Sequence, residues 1–185
     1  GKPSLDEPTF TDLEPRTAGT SGDGYIWKYL YTIKPNQIIK FDSIDFMPVP
    51  NAWGTGDSID IKNNAVDGKI ETAVILNAGD GYQPIGTTFN NIPILGDGTG
   101  GKVSVTVNSQ GKVSDVTVTN GGTGYTSGTV QFYPGAPGTE IGGPIAGLSA
   151  VGVAGTSVAD IEVVIPPPGG HGFDVYKELG AFRVL

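Results

Sequence analysis

The sequence predicts an all-β (mainly β) protein made of two β-lobes, sandwich-like, one of them a Gly-rich, internally repeated insertion. Three observations carry this. Ile and Val number 33 against 19 for Leu and Ala, the reverse of what a helical bundle prefers. The 30 Gly and 14 Pro follow no every-third-residue period, so they read as turn residues and not as collagen. Apolar side chains alternate with polar ones in several short runs, the period of a half-buried strand. Leu, Ile, Val and Phe together number 48 of 185 residues, above the range of a disordered chain.

Residues 1–21 hold Pro, Thr, Asp and Glu without periodicity and read as an extended arm. Residues 22–33 alternate, with Tyr25, Trp27, Tyr29, Tyr31 and Ile33 on one face of a predicted strand. That aromatic face is expected to pack as core against a second sheet or to form a subunit interface. Lys34-Pro35-Asn36 closes the run, residues 38–49 read as a second strand, and residues 51–66 as a polar connector.

The middle of the chain repeats. Residues 67–82 align without gaps on residues 110–125, an offset of 43, with six of 16 positions identical, among them Asn77/Asn120, Gly79/Gly122, Gly81/Gly124 and Tyr82/Tyr125. A weaker third pass covers residues 158–165. Inward positions fall at Ile70, Ala73 and Ile75, then Val113, Val116 and Val118, then Val158, Ile161 and Val163. Each set steps by three and then by two, which predicts β-bulges at Glu71-Thr72, Ser114-Asp115 and Ala159-Asp160. Val103, Val105 and Val107 alternate ahead of a hairpin loop at residues 108–111. The Gly residues before Tyr82 and Tyr125 are expected in positive-φ turns, each tyrosine folding back as a lid. The functional alternative makes Tyr82 and Tyr125 a sugar-stacking platform.

The charge balance and residue types narrow the chemistry. A net charge of −8 with 11 scattered Lys and Arg argues against nucleic acid and against anionic membranes. No apolar run approaches the ~20 residues of a membrane helix. There is no Cys and one His, so a transition-metal site of nitrogen and sulfur ligands is not expected. The single His171 lies in a Gly-Gly-His-Gly turn without a GxSxG companion, and reads as a loop anchor or interface residue and not a catalytic base. Asp23, Asp57, Asp80 and Asp97, the acids available for glycoside hydrolysis, sit beside Gly or in polar loops, as turn formers do. No calcium-loop spacing is present. We therefore expect no enzyme, no cofactor and no metal.

Gly22, Asp23, Gly24, Tyr25, Trp27, Tyr29, Leu30, Ile33 and Pro35 form the pattern GDGYxWxYLxxIxP. This segment resembles the gene-product-eight baseplate wedge subunits of T-even-type contractile-tail phages. Residues 41–50, ending in Phe-Met-Pro-Val-Pro, and residues 169–174 with 178–183 are similar to further blocks of the marine, cyanophage-like form. The three stretches cover about a fifth of the chain. The resemblance implies a virion structural protein without catalytic residues, β-rich, a homodimer, with the other wedge subunits as neighbours. It implies a location in the phage tail baseplate after assembly in the host cytoplasm.

The organisation expected is an arm at 1–21, a wedge-like β-lobe of 22–66 plus 166–185, and an inserted Gly-Tyr repeat lobe at 67–165. The chain reads as a piece of a longer protein. The function expected is assembly through protein–protein contacts; the alternative is a carbohydrate-binding or host-attachment module.

Overall fold

In the computed structural model, residues 3–134, 145–150 and 158–181 are described, and they form a mainly β protein. The chain divides into two compact units, residues 1–66 with 169–185, and residues 67–168.

Every strand described lies in the second unit. In chain order they are β1 (Ala73–Asn77), β2 (Tyr82–Gln83), β3 (Thr87–Pro93), β4 (Leu95–Gly96), β5 (Lys102–Val107), β6 (Val113–Asn120), β7 (Gly128–Val130), β8 (Ser149–Ala150) and β9 (Asp160–Val163). All pairings are antiparallel. One sheet runs β1-β9-β7-β4, a second runs β3-β5-β6, and β2 with β8 makes a short ribbon. Valine alternation on β5 explains its place at the centre of the three-stranded sheet. Val103, Val105 and Val107 are all fully buried, while Ser104 and Thr106 face outward. Ile70, Ile92, Phe132 and Ile161 close the same core, and Phe132 packs its ring 5.1 Å from Tyr82 and 5.6 Å from Phe89. Burying each such side chain contributes roughly 1.5–3 kcal/mol relative to exposure.

The bulge expected at Ser114-Asp115 is present. Thr106 faces Asp115 and Val107 faces Val113, leaving Ser114 as the extra residue. The other two are corrected. Glu71-Thr72 precedes β1, and the irregularity on that strand falls between Ile75 and Asn77; Ala159 precedes β9. The step of three at those sites reflects entry into a strand and not an insertion within one. Val158, expected inside, is 54% exposed because it lies ahead of the paired residues. A bulge absent from the sequence reading sits on β3, where Asn91 adopts φ 61° between the Phe89 and Ile92 pairings.

The first unit corrects the sequence reading more strongly. Residues 22–33, expected as a strand, form no ladder; Trp27 alone bridges to Arg16. Residues 38–49, expected as a second strand, begin inside helix α1 (Pro35–Phe41). Pro35 fits the first helical position because its missing N–H would have no partner there, and Gln37 Oε1 accepts the Lys34 N–H at 2.8 Å. The polar stretch 51–66 carries a 3-10 turn (Gly56–Ser58) and helix α2 (Ile59–Asn64), whose Ile61 is buried. Helix α3 (Val175–Glu178) starts at Asp174, whose carboxylate accepts the Lys177 N–H at 3.2 Å, and it buries Val175. Trp53 ties the segments of this unit: its indole N–H reaches the Gly172 and Phe173 carbonyls at 2.9 and 3.1 Å. Tyr176 Oη donates to Pro50 O, and Tyr31 Oη to Pro48 O at 3.0 Å.

Candidate functional site

Tyr82 and Tyr125, the alternative sugar platform, are both 2% exposed. Tyr82 Oη donates to Phe132 O and accepts from Ala159 N, each at 2.8 Å. Tyr125 Oη donates to Ile94 O at 3.0 Å and accepts from Gly101 N at 3.1 Å. With both rings inside and both hydroxyls saturated, neither offers a face to a ligand. The stacking role is corrected to that of a buried lid. Desolvation pushes the Tyr82 hydroxyl up from the ordinary phenol range; the Ala159 N–H opposes this and the Asp80 carboxylate adds to it.

The aligned segments meet each other through matched backbone bonds. Tyr82 N donates to Gly111 O at 3.0 Å, and Tyr125 N donates to Gly68 O at 3.2 Å. Ile70 N donates to Gly121 O, and Val113 N to Ala78 O, both at 3.0 Å. In each pair, adding 43 to the donor's number and subtracting 43 from the acceptor's turns one bond into the other. Asn77 and Asn120 each accept the N–H two residues on at 2.9 Å, which fixes the turns before the tyrosines.

Of the four acids beside glycines, Asp97 and Asp23 serve loops. Asp97 accepts from Thr126 N at 3.0 Å, Ser127 N at 2.9 Å and the Thr126 hydroxyl. These donors, the hydroxyl foremost, hold its carboxyl far below the usual range. Asp23 accepts from Ser4 Oγ, Leu5 N at 2.9 Å and Tyr25 N at 3.1 Å, pinning the arm to the Gly22–Gly24 turn; Ser4 is the leading cause of its lowered pKa. Asp57 lies 3.7 Å from Lys34 Nζ. Among the described residues, no group of three or more His, Asp or Glu side chains could hold a metal ion.

His171 sits in a turn where Gly169, Gly170 and Gly172 all have φ near 90°. Its Nδ1 lies 2.6 Å from Glu178 Oε1, and Glu178 Oε2 accepts the Gly172 N–H at 2.7 Å. Burial raises the Glu178 pKa, but the His171 contact, the Gly172 N–H and the Lys28 charge outweigh it, so the carboxyl ends below its ordinary value. The arrangement is a clasp closing the loop onto α3.

Tyr25, Trp27, Tyr29 and Tyr31 do not enter a core of paired sheets. Tyr25 is exposed and the other three are half-buried in the first unit. Tyr29 and Tyr31 line an open cavity of about 970 Å³ together with Phe41, Phe46, Met47 and Pro48. Beside it lies a feature the sequence reading missed. Helix α1 buries no residue, and Ile39 is 85%, Phe41 62%, Ile44 99% and Phe46 53% exposed. The signal was in the sequence, since Pro35 at a helix start makes Ile38, Ile39 and Phe41 helical; strand periodicity concealed it.

Comparison of the chain with protein-family models, with curated proteins and with solved structures finds no match.

Proposed function

We propose that this chain is a structural part of a contractile-tail phage baseplate wedge, acting through protein–protein contacts in virion assembly. The pattern at residues 22–35 supports the family reading, and the exposed apolar run at residues 38–47 carries the assembly reading. Ile38, Ile39, Phe41, Ile44, Phe46 and Met47 are each about half exposed or more. Together they present on the order of 700 Å² of surface, close to the ~800 Å² one partner contributes to a standard interface. Large apolar side chains left in contact with water along one ten-residue stretch favour an interaction site over a merely solvated face. The partners on this reading are the other wedge subunits, with a second copy of the chain in a homodimer, in the tail baseplate after assembly in the host cytoplasm. The repeated second unit supplies a rigid body: its core is closed and its loops are fixed by Asn77, Asn120 and Asp97.

Sedimentation of the chain with co-expressed wedge subunits tests this. The double variant Ile39→Asp, Ile44→Asp should lose co-sedimentation while its circular dichroism stays unchanged, both residues being at the surface. Co-sedimentation undiminished in that variant, or absent in the unaltered chain, would overturn the reading.

A further inference from the structure

Residues 29–33 have the sequence of a strand but no strand beside them. Tyr29, Tyr31 and Ile33 alternate with Leu30 and Thr32, all types that favour pleated backbone apart from Leu. Just upstream, Arg16 and Trp27 exchange two antiparallel backbone bonds of 3.0 and 2.9 Å. A ladder begun there would continue by pairing residues 29–32 with residues 11–14. It does not continue: among the described residues, no N–H or C=O of residues 29–33 makes a hydrogen bond. Instead, residues 8–11 and 27–32 line a groove of about 360 Å³. Trp27, one of its lining residues, holds its indole N–H shielded from solvent without an acceptor. A row of strand-like donors and acceptors left without protein partners is open to pairing with another chain.

We propose that residues 29–33 receive an extended segment of another wedge polypeptide as an added antiparallel strand, seated in this groove. This deepens the assembly reading above and rests on it. Main-chain bonds to alternate residues of this run, about 17 Å of strand, give the affinity, and the apolar walls from Pro8, Phe10 and Trp27 select apolar side chains at alternate positions of the incoming strand. A carbonyl of that strand is the acceptor that the Trp27 indole lacks. A helix would leave the row of backbone groups unpaired. A second copy fits poorly, because residues 8–11 line the groove as well and two copies of residues 29–33 would meet only by displacing that arm.

The test uses the full chain and overlapping 12-residue peptides from the wedge subunits that co-sediment with it. Binding is read by fluorescence anisotropy, and amide hydrogen exchange locates it. One peptide should bind and slow exchange at residues 29–33 at least tenfold. N-methylation of alternate amides along one edge of that peptide should weaken binding at least tenfold, and along the other edge should not. An intact subunit that co-sediments with the chain yet leaves exchange at residues 29–33 unchanged would sink the groove while sparing the assembly reading. Equal binding by both N-methylated series would also overturn it, as would protection arising with concentration in the chain alone, which would make a second copy the occupant. Failure of every subunit to co-sediment removes the assembly reading and this proposal together.

Discussion

Tyr82 and Tyr125, 43 residues apart, are held by the same set of bonds: each backbone N–H reaches into the other's aligned segment, and each hydroxyl both donates to a carbonyl and accepts an amide. The two segments clasp each other, so a change in one removes a partner of the other.

Tyr82→Phe leaves the Ala159 N–H and the Phe132 carbonyl without their buried partner. We expect a loss of about 1–3 kcal/mol in the stability of the second unit, read by urea unfolding followed through near-UV dichroism. Tyr125→Phe should behave alike through Gly101 and Ile94. Because the folded-state pKa of Tyr82 is raised, its contribution is fully present below about pH 10 and lost as pH climbs beyond it. The alkaline fall should be smaller in Tyr82→Phe.

Gly68 and Gly86 separate backbone strain from steric overlap. Both have positive φ, 63° and 66°. At Gly86 an added Cβ meets nothing within 4 Å, whereas at Gly68 it would overlap the backbone nitrogen of Tyr125. Gly86→Ala should cost about 1 kcal/mol, the left-handed penalty alone. Gly68→Ala should cost clearly more, shown by a lower denaturant midpoint or by loss of soluble protein.

The Glu178 clasp gives the first unit an acid limit. Its carboxyl ionises more readily in the folded state, so its contribution is present above the ordinary glutamate range and disappears as pH falls below it. Thermal unfolding between pH 3 and pH 7, followed by Trp fluorescence, should show this decline. Glu178→Gln should flatten it and lower the melting temperature at pH 7.

Asp97 makes the same case for the second unit. Asp97→Ala removes the acceptor of Thr126 N, Ser127 N and the Thr126 hydroxyl, and should lower the unfolding midpoint at neutral pH. Asp97→Asn keeps one carbonyl oxygen and should lower it less. A variant that matched the unaltered chain at pH 7 would show the loop to be held by other means.

The sequence by itself determined the mainly β class, the Gly-Tyr alignment and the hairpin at residues 108–111, because each follows from local rules: strand alternation, positive-φ glycine and asparagine turn chemistry. In that hairpin Gly111 N donates to Asn108 O at 3.1 Å, as its composition required. Burial of the tyrosines was legible as a lid but not distinguishable from a platform, since exposure depends on which segment lies above the ring. The tertiary structure alone decided that residues 22–33 lack a neighbouring strand. Alternation states what a segment could pair as, while pairing needs a partner at about 4.8 Å, and among the described residues the one backbone bridge between the arm and this run is Arg16 with Trp27. It also decided that Ile39 and Ile44 face water, because burial is a property of what surrounds a side chain and not of the side chain.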